Sequence, residues 1–403
     1  MNFWNDPINF VSVWLRSLFS GWGMADWLVN VLLAVMGIVV LIICAMVLDI
    51  MLVWVERKVV ARFQDRFGPN RVGPFGLIQP FADIIKLLIK EDITPIGADR
   101  IIFNLAPILA MTAVLLLWAI LPLGSVIYGV DLNVGVLYII ATGAIGTLSI
   151  IMAGWASNNK FALIGAFRTV AQMVSYEIPM LVAMLIPTIL AGTMSVNGIV
   201  HAQNVWFVIL SPIGVLIFII SAIAELGRSP FDLNEAESEI VAGFHIEYTG
   251  MKFGMFYASE LLHTFTFGGF IATLFFGGWR GPYAEIYPLL GVFYFFIKAM
   301  FFYWVIMWVK YSMPRIRIDH MLAFNWKFLT PLAFVLLIVT ALVDKVLAQT
   351  NFHATGMLLA NIIVGWVTIE ILRIHARGLR KKDEIPAKPS TQAAHHQPLR
   401  GEK

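Results

Sequence analysis

Long apolar stretches alternate with short polar ones along nearly the whole chain. A helix that crosses the hydrocarbon layer of a bilayer needs about 20 mostly apolar residues. Nine stretches meet that requirement, at 28–54, 101–121, 136–156, 173–192, 205–224, 253–276, 288–309, 328–347 and 355–372. The fourth is short unless it takes in Glu177, the eighth ends on Asp344 and Lys345, and the ninth is short and carries Glu370. The pattern predicts an all-α fold, a polytopic transmembrane helical bundle of nine spans, or eight if the last is false. Residues 1–27 form an N-terminal interfacial segment with Trp4, Trp14, Trp22 and Trp27, a placement tryptophan favours at membrane edges. With one Arg and no small-residue cleavage site, this segment does not read as a signal peptide. Residues 28–372 form the transmembrane domain. Residues 373–403 read as a basic, disordered cytoplasmic tail, rich in Pro, Ser, Gln and His and without apolar period. There is no internal repeat, which argues against an inverted-repeat transporter.

Composition agrees with that reading. Hydrophobic residues make up 59% of the chain and charged ones 13%, with a mean hydropathy of +0.82; a soluble domain is about a quarter charged. Of 28 Lys and Arg residues, 24 fall in segments 56–100, 157–172, 225–252, 310–327 and 373–403. Only Arg16, Arg280 and Lys345 lie on the other side, and Lys298 lies within the seventh span. The positive-inside rule then places these five segments, the C-terminus among them, in the cytoplasm and the N-terminus outside. The lone Cys44 excludes an intrachain disulfide and a cysteine-held cluster. No phosphate loop, dinucleotide fingerprint, zinc motif or nucleophile elbow is present. The basic residues flank spans and form no separate domain, so nucleic acid is not an expected partner.

Two cytoplasmic loops are unusually long, at 45 residues (56–100) and 28 residues (225–252). The first opens on Glu56-Arg57-Lys58 and passes through Gly68-Pro69-Asn70-Arg71-Val72-Gly73-Pro74-Phe75-Gly76, which predicts successive tight turns. Beyond it Leu77, Ile78, Phe81, Ile84, Ile85 and Leu88 recur at helical spacing, with Asp83, Lys86 and Lys90 on another stripe. This is an amphipathic interfacial helix. A surface anchor and a wall of a chamber that an amphiphile enters sideways both fit it.

The second loop is acidic on a face where basic residues are the norm. Glu225, Asp232, Glu235, Glu237, Glu239 and Glu247 fall within 23 residues whose one Lys or Arg is Arg228. If 232–239 is helical, residues 232, 235 and 239 share a face. A solvated loop that docks a partner and a cluster that loads and unloads protons both fit. Glu177 and Glu260 extend the acidic line into the fourth and sixth spans, with His263 a turn beyond Glu260. An ionisable group inside a span costs several kcal/mol and suggests function. Asp49 and Lys298 are further candidates of this kind, whereas the histidines show no metal-ligand spacing.

At these residues the chain resembles a known family. Glu56-Arg57-Lys58, Gly68–Pro74 and Gln79-Pro80-Phe81-Ala82-Asp83 are similar to the first loop of the quinone-site membrane subunit of respiratory complex I, which in bacteria is its H subunit. The similarity continues in Arg168-Thr169-Val170-Ala171-Gln172, Ser175-Tyr176-Glu177, Arg228-Ser229-Pro230-Phe231-Asp232-Leu233, Glu235-Ala236-Glu237-Ser238-Glu239, Gly243–Tyr248 and Pro314–Asp319. It covers about residues 49–330. Leu226-Gly227 stands where the family usually has Thr-Asn, and Leu261 where an aromatic residue is common.

The resemblance implies a subunit of proton-translocating NADH:quinone oxidoreductase that couples quinone reduction to proton translocation. Carried over by position, the proton-relay acids are Glu177, Glu225, Asp232, Glu235, Glu237, Glu239, Glu247 and Glu260. The quinone-chamber candidates are Arg57, Arg66, Asn70, Arg71, Gln79, Phe81, Asp83, Lys86, Arg315 and Arg317. Quinone is then the substrate, and no redox cofactor, metal or complete active site is expected on this chain. Iron–sulfur clusters and FMN belong to partner subunits of the redox arm, which meet the cytoplasmic loops, while membrane-arm subunits and lipid lie laterally. The alternatives are an equivalent subunit fed by ferredoxin or a deazaflavin, a membrane hydrogenase subunit, and a stand-alone proton-coupled transporter.

Overall fold

The computed structural model describes residues 6–233, 237–347 and 352–383. Among them the regular structure is helical throughout. Helix α1 (Pro7–Gly21) opens with Pro7 at its first position, and its cap Asp6 accepts from the Asn9 N–H. Arg16 ties it to α2 (Asp26–Phe63) through Asn30 at 2.6 Å. The next helices are α3 (Gln79–Ile89), α4 (Arg100–Trp118), α5 (Gly135–Ala156) and α6 (Lys160–Ala191). Then come the short α7 (Val196–Ala202), α8 (Phe207–Leu210), α9 (Pro212–Glu225) and α10 (Glu237–Ile240). The chain closes with α11 (Gly250–Phe275), α12 (Pro288–Ser312), α13 (Ile318–Phe324), α14 (Thr330–Leu347) and α15 (His353–Asp383).

Seven helices among the described residues are long and apolar enough to cross a membrane: α2, α4, α5, α6, α12, the run Ile318–Leu347 and His353–Ile374 of α15. The other two expected spans are helical but different in kind. α11 carries Glu260, His263, Thr264, Thr266 and Thr273, yet from Leu261 to Phe275 all but His263 are buried. Its polar atoms meet protein and not lipid, as with the Trp118 indole that donates to Thr266 at 2.8 Å. The fifth expected span is broken at Ser211, with φ −139° and ψ 70°, because Pro212 begins a new helix. The break frees the Leu210 carbonyl, which accepts from the Asn361 amide of α15 at 2.9 Å.

Several boundaries differ from the sequence reading. α2 continues to Phe63, so Glu56-Arg57-Lys58 are helical and not the start of a loop. α6 begins at Lys160, inside the expected loop 157–172, because the Asn159 side chain caps it by accepting from Phe161. It runs unbroken through Glu177 and Pro179. The carbonyl that Pro179 leaves without a helical donor is that of Ser175, and the Asn325 amide donates to it at 2.6 Å. Asn325 belongs to one π-helical turn between α13 and α14. Of the tail expected from Arg373, residues 373–383 are instead the helical end of α15, and 384–403 lie outside the described residues.

α6, α9 and α11 form the centre of the bundle. α4 and α5 pack as one antiparallel pair against α6 and α11, α12 packs on α11, and α14 and α15 close the other side. Segments 226–233 and 237–249 fold against the first half of α6, anchored by the buried Phe231, Leu233, Ile240, Phe244 and Tyr248. Two glycines permit that contact: a Cβ on Gly165 would lie 2.7 Å from the Gly243 Cα.

Candidate functional site

The Gly-Pro segment 68–76 coils back over the end of α2. Gly73 and Gly76 take φ +72° and +77°, and a Cβ on Gly76 would sit 2.2 Å from the Pro69 carbonyl oxygen. Only glycine fits there. The Trp54 indole pins the coil by donating to the Phe75 carbonyl at 3.2 Å. α3 is held to α2 by Arg57 and Asp83, 2.5 Å apart, with Lys86 3.6 Å from the same carboxylate.

These elements enclose an open cavity of about 810 Å³, lined by Glu56, Arg57, Val60, Arg66, Phe67, Gly68, Pro69, Asn70, Arg71, Gln79, Tyr257 and Tyr311. Its wall is mixed: three guanidinium-bearing residues and two amides face aromatic and aliphatic carbon. At its base Glu56, 5% exposed, accepts from Lys310 at 2.8 Å, Tyr311 at 2.7 Å and Tyr257 at 3.3 Å. A carboxylate with a cation and two hydroxyl donors is well satisfied inside a protein.

A second polar cluster lies deeper. Arg228 is 4% exposed and pairs with Glu260 at 2.9 Å; its charge also reaches Glu56 and Tyr257. Glu260 borders a cavity of about 90 Å³ that also exposes Glu225, His263, His245, Ser149, Ser259 and Thr142. Glu225 stands at the last turn of α9, whose final carbonyls are held by the Gln172 amide donating to Ala224 at 2.7 Å. Glu177 on α6 lies beside Thr147 of α5 and close enough to Glu225 for their charges to interact. Glu56, Arg228, Glu260, Glu225 and Glu177 thus succeed one another from the open cavity into the bundle, linked by one ion pair, one shared cavity and the reach of their charges.

His245, in the loop above this line, is packed among Phe244, Phe253 and Phe256. Burial lowers its pKa from 6.5 to about 4, because the apolar surroundings disfavour the imidazolium. Nearby, Tyr248 stacks on Phe103 with centroids 4.1 Å apart, and burial raises its phenol well above the ordinary range.

The expected site residues divide accordingly. Arg57, Arg66, Asn70, Arg71 and Gln79 line the open cavity. Asp83 reaches it through Arg57, while Phe81 and Lys86 lie on α3 away from the lining, with Phe81 on an exposed apolar stripe. Arg315 pairs with Asp232 at 2.9 Å and Arg317 lies near Asp319 at 3.7 Å, neither on the cavity wall. Of the expected relay acids, Glu177, Glu225 and Glu260 come together. Glu239 instead pairs with Arg168 at a half-exposed position. Glu247 accepts from Asn159 at 2.7 Å beside a separate cavity of about 300 Å³. Glu235 lies outside the described residues, as does the side chain of Glu237. Residues 232–239 do not form one helix, because Asp232 and Leu233 are not helical; α10 is described over Glu237–Ile240.

Five residues of the site were not singled out from sequence: Glu56, Arg228, Tyr257, Lys310 and Tyr311. Arg228 carried a signal, as the lone Lys or Arg among the loop's acids. Glu56 stood only as the first residue of the Glu56-Arg57-Lys58 motif, and nothing in the sequence brings Tyr257, Lys310 and Tyr311 to it.

Fold and site together define a multi-pass helical membrane protein with a cavity at one end that leads to buried carboxyl groups. A family model described as NADH dehydrogenase matches residues 35–341. The NADH-quinone oxidoreductase H subunit of Dehalococcoides mccartyi (strain CBDB1) is 46% identical over 341 residues, which cover 85% of this chain and 94% of that protein. The H subunit of Brevibacillus brevis is 43% identical over 325 residues, 80% of this chain and 94% of the relative. The first-numbered H subunit of Geobacter metallireducens is 44% identical over 299 residues, 72% and 89% of the two chains. The chain belongs to this NADH dehydrogenase family.

Proposed function

We propose that this chain is the quinone-site membrane subunit of a proton-translocating NADH:quinone oxidoreductase. The single observation that carries the proposal is the continuity from the 810 Å³ cavity, through Glu56 and Arg228, to Glu260, Glu225 and Glu177. A lipid-soluble quinone suits the mixed wall, with its polar head toward Arg57, Asn70 and Tyr257 and its tail along α3 toward lipid. Partner subunits carrying iron–sulfur clusters and FMN supply the electrons at the cavity mouth. This face is cytoplasmic, because it holds 24 of the 28 Lys and Arg residues, and the bundle sits in the inner membrane.

Reduction of quinone places negative charge and a proton demand next to Glu56. Two unit charges 4 Å apart interact by about 4 kcal/mol at an effective dielectric of 20, which moves a proton equilibrium by roughly three pH units. The shift passes to Arg228 and Glu260, and a cavity of about 90 Å³ is roomy enough for a few water molecules to carry protons onward to Glu225. Glu177 hands the change to the neighbouring membrane subunits.

Photo-crosslinking with an azido-quinone in native membranes tests the reading. Label is expected in peptides spanning 56–79 and those containing Tyr257 and Tyr311. Label confined to other subunits would remove the cavity from this chain.

A further inference from the structure

α2 presents most of its surface outward; the buried residues of its cytoplasmic half are Ala45, Asp49, Leu52, Glu56 and, further on, Ala61, and the first four make one stripe. Their 4-3-4 spacing places them on one helix face. Two of the four are carboxyl groups, and the structure treats them oppositely. Glu56 accepts from one ammonium and two phenols. Asp49 is 5% exposed, and its Oδ1 is fully shielded and without a hydrogen-bond partner among the described residues. Seven residues separate them, about 10 Å along the helix axis, so Asp49 lies deeper in the span. The charge that acts on it is that of Glu56. Tyr303 of α12, fully buried, brings its hydroxyl to 3.5 Å from the carbonyl of Leu52, which lies between the two acids in sequence.

Among the described residues no cation pairs with a carboxylate in that position to offset its desolvation, which costs several kcal/mol. The neutral acid avoids most of that penalty. Two carboxyl groups in unlike surroundings on one face divide the roles of charged and protonated group between them.

We propose that Asp49 is a proton-holding site of this protein, neutral while Glu56 is ionised, which exchanges its proton with Glu56 when the charge in the cavity changes. In the exchange the Asp49 O–H bond breaks and an O–H bond forms on Glu56. No electrons move. The groups that set the balance are Glu56 on α2, Tyr303, Lys310 and Tyr311 on α12, Tyr257 on α11, and Arg228. This adds a branch along α2 to the line through Glu260 and rests on the functional reading above.

The test uses the assembled complex with the full chain. Infrared spectra of the resting enzyme should contain a protonated-carboxyl C=O stretch that downshifts in D2O, is lost in Asp49→Asn and returns, displaced, in Asp49→Glu. On quinone reduction that band should shift or bleach, and Asp49→Asn should lose proton translocation out of proportion to quinone turnover. Asp49→Leu should fold and gain thermal stability while showing the same loss, because an apolar side chain suits the site better than an acid. An unchanged resting band in Asp49→Asn overturns the inference. So does unchanged translocation per quinone in both Asp49→Asn and Asp49→Leu. Failure of the wild-type complex to reduce quinone would overturn the functional reading instead, and the resting band would still judge Asp49.

Discussion

Replacing Glu260 by Gln keeps the side chain's size and removes the charge that Arg228 pairs with at 2.9 Å. Arg228 is 4% exposed, so the loss leaves a buried cation short of its counter-ion, a change that costs about 3–5 kcal/mol when one partner of a buried pair is removed. NADH-driven quinone reduction by the assembled complex should collapse, with a lower thermal midpoint. Glu239→Gln breaks a pair whose carboxylate is half-exposed, a kind of pair worth about 0–1 kcal/mol. Stability should barely change there, and turnover should stay near wild type. Equal losses in the two variants would refute the division of the acids drawn from burial. His245 gives a residue-scale pH dependence. Its pKa falls from 6.5 unfolded to about 4 folded, so between those values the unfolded chain binds the extra proton. By linkage, its contribution is complete above pH 6.5 and is lost as pH falls toward 4. His245→Phe should therefore flatten the acid limb of a stability-against-pH curve over that window, and an identical slope in the variant would contradict the burial.

At the scale of elements, two losses of a helical hydrogen bond shape the bundle, and each is matched by an amide from another helix. Pro179 frees the Ser175 carbonyl and Asn325 meets it; the break at Ser211 frees the Leu210 carbonyl and Asn361 meets it. In a bilayer no water is present to satisfy such groups. Asn361→Leu should cost about 1–3 kcal/mol through the unsatisfied carbonyl, read as a lower unfolding midpoint of the complex. The effect should extend to function, because α9 ends on Glu225 and Asn361 fixes its other end. Asn361→Gln, which keeps the amide, should recover part of the loss; no difference between Leu and Gln variants would show that the amide does not hold α9.

For the whole molecule, the asymmetry of charge makes a topological prediction. With Cys44 replaced by Ala, a cysteine introduced at Glu285 should react with a membrane-impermeant thiol reagent in intact cells. One at Glu91 should react only after permeabilisation. Both sites are exposed. The reverse pattern would invert the bundle and place the open cavity on the outer side. The same frame explains why α2 and α15 show so much apolar surface: they are the flanks that lipid or neighbouring subunits cover, while α6, α9 and α11 carry the polar line through the middle.

Hydropathy and charge determined by themselves that the chain is a helical membrane bundle, where most of its helices lie, and which loops are unusual. Those properties depend on local periodicity and on summed charge, which a linear string records. Motif membership likewise picked out Arg57, Asn70, Arg71, Gln79, Glu177, Glu225 and Glu260. The tertiary structure alone decided which acids meet. Glu177, Glu225 and Glu260 converge because α6, α9 and α11 pack together, whereas Glu239 and Glu247 turn to Arg168 and Asn159. It also decided that Glu56 has three donors while the Asp49 Oδ1 has none among the described residues, since Tyr257, Lys310 and Tyr311 lie some 200 or more residues away along the chain. Whether a carboxyl group is charged, paired or protonated depends on what surrounds it in three dimensions, and no spacing along the chain encodes that.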